Sequence, residues 1–218
     1  PPGVPARGMP GGSAKRQYQH RRNARLRRAR DRFGLLGALI AWLAGDPRST
    51  TAWRRGAEGE EKVARRLTKL LCGKHVELIH DRLMPGARAA NIDHVAVGPG
   101  GVTVIDSKNL SGKVRVQRTI RATLRVGGSN RTQLVHGVQR QAEAVRELLH
   151  AASIQVEVRA ALCLASTDGL PLFSRLEVDG VLIGGSARVA KLAARPGTLS
   201  EDQRRLIRET LSVGLREA

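Results

Sequence analysis

The stretch NIDHVAVGPGGVTVIDSKN, residues 91–109, sets two β-branched runs on either side of Gly-Pro-Gly-Gly. Alternating apolar positions around a Gly/Pro turn predict a β-hairpin, with residues 98–101 as the reversal. In that register Val97 faces Val102, Val95 faces Val104, Asp93 faces Asp106, and Asn91 faces Lys108. Side chains two residues apart share a face, and directly opposed Cβ atoms lie roughly 5 Å apart. The hairpin is therefore predicted to be valine-rich at its turn and to carry Asp93, Asp106, Lys108 and Asn91 together at its open end. Ile92 and Ile105 are predicted to point the other way, toward a helix layer.

Opposed like charges on a sheet destabilise it unless something neutralises them. A shared proton, Lys108 or a divalent cation would each serve. Carboxylate oxygens suit a hard ion, and magnesium takes one or two carboxylates together with substrate phosphate and water. Phosphodiester hydrolysis needs the same set: a metal to polarise the phosphate and activate water, and an ammonium to stabilise developing charge. Ser107 and Ser111 have no neighbouring base and are discounted as nucleophiles. His94 falls on the opposite face from Asp93 and reads as a packed residue. The other histidines show no metal spacing.

Around the hairpin the pattern is mixed. Residues 56–74 predict a helix with Val63, Leu67 and Leu70/Leu71 on one face and Gly73 as its stop. A strand is predicted at 76–83, two short strands at 113–117 and 123–128, and an amphipathic helix at 132–150. That helix presents Leu134, Val138, Ala142, Val145 and Leu149. A buried strand follows at 156–165 and a last short strand at 178–185. Helices follow at 186–194 and at 200–216, the latter capped by Ser200. The fold class is α/β: a central mixed β-sheet flanked by helices.

Lys and Arg number 38 against 19 acids, a formal net charge of +19, which calls for a polyanionic partner. Nine of those charges fall in residues 1–33, where ten Lys or Arg accompany Asp31 alone. Residues 1–50 read as an arm: Pro/Gly-rich and disordered over 1–15, basic and helix-forming over 17–32, apolar over 33–45. The apolar run is too short to span a bilayer, which takes about 20 helical residues. It suits contact with a membrane surface, through residues 17–45, or packing on the protein itself. Residues 46–55 read as a linker and 51–218 as the folded domain. The aromatic content of 2% argues against base stacking as the main mode of recognition. Cys72 and Cys163 form no metal-binding spacing and read as two buried thiols in a reducing compartment. That places the protein in the cytoplasm, in contact with the inner face of the membrane if the arm touches lipid.

Three blocks resemble the nuclease-related domain (NERD) family, whose fold is similar to the PD-(D/E)xK restriction-endonuclease-like core. GAEGEEKVARRL resembles its opening helix with Gly-x-x-Gly-Glu. NIDHVAVGPGGVTVIDSKNLSGKV resembles its central block, the most specific of the three. The helix with Gln139 and Gln141 resembles a later helix that contributes a glutamine. The resemblance covers residues 54–213. It implies that Asp93 and Asp106 ligate magnesium (or manganese), that Lys108 assists the attacking water, and that Glu60 is a further acid on the metal side. It also implies that Gln141 or Gln139 lies near the site. Asp106 departs from the commoner glutamate. Read without the resemblance, Glu58, Glu60 and Glu61 are acids in a helix's first turn, where the macrodipole favours them, and the two glutamines are solvated. The function expected is a magnesium-dependent nuclease acting on DNA before RNA. The alternative is a non-catalytic protein that binds nucleic acid or membrane through a degenerate nuclease fold.

Overall fold

The computed structural model describes residues 48–85, 91–118, 121–166, 168–171 and 176–217, together with eight isolated positions between 12 and 31. Helix α1 (Arg48–Leu71) leads into β1 (Glu77–Leu83), β2 (Asn91–Gly98) and β3 (Gly101–Lys108). After β4 (Val114–Arg118), β5 (Ala122–Val126) and β6 (Ser129–Asn130) come α2 (Thr132–Ala151) and β7 (Val158–Leu164). The chain closes with β8 (Leu176–Val178), β9 (Val181–Gly184), α3 (Ser186–Ala193) and α4 (Glu201–Gly214). The main sheet runs β1-β2-β3-β7-β9-β8, and β4-β5-β6 form a second, smaller sheet. Strands β3, β7 and β9 are parallel and the outer pairings antiparallel, so the central sheet is mixed.

Helices cover both faces. On one, Val135, Val138, Ala142, Val145 and Leu149 of α2, with Ile207 and Leu211 of α4, pack against Val95, Val97, Val102 and Val104. On the other, Val63, Leu67 and Leu71 of α1 and Val189 of α3 pack against Ala96, Ile105, Ala161 and Cys163. Each fully buried Val, Leu or Ile contributes about 1.5–3 kcal/mol, so these two layers hold the strands in register. Ser200 caps α4 through a capping box: its Oγ accepts from Gln203 N at 3.2 Å, and its N–H donates to Gln203 Oε1 at 2.8 Å.

Several sequence expectations need correction. Helix α1 begins at Arg48, so residues 48–55 are helical and not a linker. Between Pro47 and Gly56 no breaker interrupts the run. The strand expected at 178–185 is a hairpin of β8 and β9 around Asp179 and Gly180, whose φ values of 48° and 78° suit a tight two-residue reversal. Val135 is fully buried on α2, whereas Leu134 is only half-buried against the core. Cys72 is exposed and only Cys163 is buried. Ile92 packs with Val95 and Val104, apart from Ile105. In the arm, Arg16, Gln19, His20, Asn23, Ala24, Arg27 and Asp31 are helical, as is Gly12, which falls in the stretch expected to be disordered. The apolar run 33–45 lies outside the described residues. Among the described residues, no helix is long and apolar enough to cross a membrane.

Candidate active site

The β2–β3 register is the one read from the sequence as far as His94–Ile105, through the pairs Val97–Val102 and Val95–Val104. Beyond it the ladder stops. Asp93 and Asp106 are not a backbone pair, and Asn91 pairs with Leu83 of β1 instead of Lys108. A local substitution explains the change: the Asp93 carboxylate Oδ2 accepts the Ser107 N–H at 2.7 Å, taking a donor that would otherwise bond to a strand carbonyl. On its other side the β1–β2 register skips Asp81 and Asp93, and Asp81 stands in the left-handed region at φ 49°. That break in alternation turns Ile92 into the opposite core layer from Ile105.

The carboxylates converge nonetheless. Lys108 Nζ lies 2.7 Å from Asp106 Oδ2 and donates to Ser107 O at 3.1 Å. Gln141 Nε2 donates to Asn91 O at 3.2 Å and, more weakly, to Asp106 Oδ1 at 3.4 Å, so α2 spans the start of β2 and the end of β3. Gln139 donates to Asp179 O in the β8–β9 turn. Of the two glutamines, the structure brings only Gln141 to the carboxylates.

Asp93, Asp106 and Glu60 are 8%, 6% and 6% exposed, whereas the Lys108 side chain is one-third exposed. Burial, the nearby Asp106 and Glu60 together hold the Asp93 pKa well above the usual carboxylate range, against the pull of Lys108 and the Ser107 amide. Burial acts to lower the Lys108 pKa, but Asp106, Asp93 and Glu60 outweigh it and hold the amine protonated above the ordinary lysine range. Lys108 and these buried acids thus form one electrostatically linked group, with Lys108 and Asp106 in direct contact.

Glu60 owes nothing to the macrodipole. It sits about three turns into α1, whose first turn contains no acid. Its position depends on Gly59, where a Cβ would come within 2.7 Å of Asn109 Cβ, and on Asn109, which donates to Arg55 O at 3.0 Å. Gly59 and Asn109 thus dock α1 on the end of β3 beside Lys108. Sequence reasoning did not assign a role to either, although both lie in the motif blocks it singled out.

The fit to a metal is specific in kind. Among the described residues, no three or more His, Cys, Asp or Glu converge as a ready-made metal cage. Two buried carboxylates with hard oxygen donors match the protein share of a magnesium site, in which water and substrate fill the remaining positions. Glu60 enters as an electrostatic neighbour of Asp93 and Lys108. The histidines are not part of this set: His94 is fully buried, with its Nδ1 2.9 Å from Nδ1 of His80. Among the described residues the buried Ser107 Oγ has no hydrogen-bond partner, so none of them activates it as a nucleophile. Cys163, on the α1/α3 face, is inert: burial pushes its thiol up to about 12, against the Ser186 hydroxyl and Arg66.

No curated protein and no solved structure matches the chain. The family model of the nuclease-related domain matches residues 55–165. That match is shorter than the 54–213 resemblance read from the sequence, but it spans Glu60, Asp93, Asp106, Lys108 and Gln141. With half of its length under that model, and with a mixed sheet flanked by helices of the PD-(D/E)xK kind, the chain belongs to the nuclease-related domain family.

Proposed function

We propose that this protein is a magnesium-dependent nuclease that hydrolyses phosphodiester bonds in DNA, with manganese able to replace magnesium. The observation that carries the reading is the meeting of Asp93, Asp106 and Lys108 at the open end of the hairpin. Asp93 and Asp106 would hold the ion, and Glu60 would add negative potential behind it. A bound metal supplies Lewis acidity toward the phosphate and lowers the pKa of its water. Lys108 stays protonated at neutral pH, so it acts as a cation and hydrogen-bond donor: it orients the attacking water and offsets charge growing on the phosphate. The Ser107 amide fixes the Asp93 carboxylate, and Gln141 ties Asp106 to Asn91. The formal charge of +19 supplies sequence-independent attraction to the phosphate backbone.

Supercoiled plasmid, single-stranded DNA and RNA are incubated with the full chain in magnesium, in manganese and in chelator. Metal-dependent cleavage, strongest on DNA and lost in Asp93→Ala and Lys108→Ala, is the expected result. Equal cleavage by the wild type and both variants would overturn the assignment.

A further inference from the structure

We propose that the cavity between α1 and the start of α3 anchors a backbone phosphate of the nucleic-acid strand that passes the Asp93–Asp106 centre. This inference rests on the nucleic-acid reading of that centre. The cavity has a volume of about 570 Å³, and among the described residues its lining includes three cations, Arg66, Lys69 and Arg188, and no acid. Among the described residues no carboxylate pairs with Arg66 or Lys69. Cations gathered around one concavity create a positive potential that gathers anions.

One of the cations, Arg188, is held in place by its surroundings. Arg188 folds its stem over Gly184, where a Cβ would lie 3.1 Å from Arg188 Cβ, and donates from Nη2 to Pro171 O at 3.0 Å. A guanidinium so fixed is pre-organised to meet a phosphate. Arg66 and Lys69 enter the lining from α1, across from Arg188 of α3. Helix α3 starts from Gly185, which has no side chain to cap it, and both Gly185 and Ser186 line the cavity.

The position fits a strand already engaged at the carboxylates. Ser107 pairs with Cys163, and Cys163 with Gly184, across parallel strands. Gly184 therefore stands two strands from Ser107, roughly 10 Å at 4.8 Å per strand. The Ser107 amide holds Asp93, and Gly185 and Ser186 form the cavity wall. That interval is about three nucleotides at 3.4 Å of rise along one strand. Leu170 and Pro171 give the cavity an apolar side against which a sugar can rest.

The test is equilibrium binding of a short DNA duplex to the full chain in chelator, where no cleavage occurs, followed across a range of salt. Arg66→Gln and Lys69→Gln, both at exposed helix positions, are each expected to lower the slope of log K against log salt by about 1. Lys191→Gln, a charge loss on α3 outside the cavity lining, is expected to leave the slope unchanged. Inorganic phosphate is expected to compete with the duplex on the wild type and to lose that competition in the double variant. Equal slope changes in all three variants would reduce the cavity to bulk electrostatics and overturn the proposal. Phosphate binding lost in the double variant with an unchanged DNA slope would assign the cavity to free phosphate and also overturn it. Lost cleavage in Asp93 or Lys108 variants bears on the metal centre, whereas these slopes bear on the cavity alone.

Discussion

The two ends of the β2–β3 hairpin are built from the same strands and do opposite things. At the turn, Val95, Val97, Val102 and Val104 are fully buried and the ladder is regular down to Gly98–Gly101. Space is so short there that a Cβ on Gly98 would lie 2.3 Å from Ala193 O. At the open end the ladder ends, a side chain takes the place of a backbone acceptor, and two buried acids stand beside a third and a lysine. Apolar packing at one end fixes strands whose other end is, by itself, destabilising. A site mounted on such anchored strands is positioned more tightly than one on a loop.

Separating the two ends by mutation gives the largest effects. Asp106→Ala removes a carboxylate and is expected to cut the metal-dependent cleavage rate by about 10³-fold or more, the scale of losing a key electrostatic stabiliser. Its urea unfolding midpoint should hold, because Lys108 is one-third exposed and can be hydrated. Val104→Ala, two residues away on the same strand, is expected to cost about 2 kcal/mol in urea unfolding while folded molecules retain their rate. Parallel losses of stability and rate in both variants would show that the ends are not separable.

Gly101 probes the turn more severely. Its φ of 121° belongs to a region that side chains avoid, and a Cβ there would lie 2.5 Å from Glu157 O. Gly101→Ala is therefore expected to lose about 2–4 kcal/mol of stability. An unchanged unfolding midpoint would mean that the turn relaxes freely and the anchor is weaker than the packing indicates.

Substitution at Asp93 should move stability the other way. The native Asp93 pKa is raised, chiefly by burial and by Asp106. The stability it gives as a neutral acid is complete below its ordinary value of 3.8 and is lost as pH rises through the native value. Asn stays neutral and keeps an oxygen for the Ser107 N–H. Asp93→Asn is thus expected to gain about 1–2 kcal/mol at neutral pH, with the gap closing as pH falls, as urea midpoints taken across that range would report. A gap that widened on acidification would reverse the assigned sign.

The turn end was legible in the sequence because period-two alternation and Gly-Pro-Gly-Gly both act locally. The open end was legible only in part. Mirrored spacing brought Asp93 and Asp106 together, but nothing local announces that the Asp93 side chain would replace a ladder bond and turn Ile92 around. The start of α1 was missed because the polar run after Asp46-Pro47 carries no apolar periodicity and reads as a linker, although residues 48–55 are helical. With α1 begun too late, Glu60 looked like a first-turn acid. The β8–β9 hairpin was missed although Asp-Gly was in view, since three-residue strands leave too little alternation to count.

Gln139 and Gln141 show where local reading stops, and they set the smallest test. At 100° per residue they flank the buried stripe of α2 on opposite edges, each about 80° from its centre, so helical phase ranks them equally. Strand order decides: one edge lies over the open end of the hairpin, the other over the β8–β9 turn. Gln141 contributes one bond of ordinary length and one long one, which together hold the splayed ends of β2 and β3 at a fixed separation. Removing it is worth about 1 kcal/mol, or five- to tenfold in kcat, since each such bond contributes on that scale. Because Gln141 positions Asp106 and Asn91, the loss should fall on kcat with KM for DNA unchanged, and Gln139→Ala should change neither. A loss confined to KM would make Gln141 a contact to the strand. An equal kcat loss from Gln139→Ala would place the working centre nearer the β8–β9 turn than the paired aspartates.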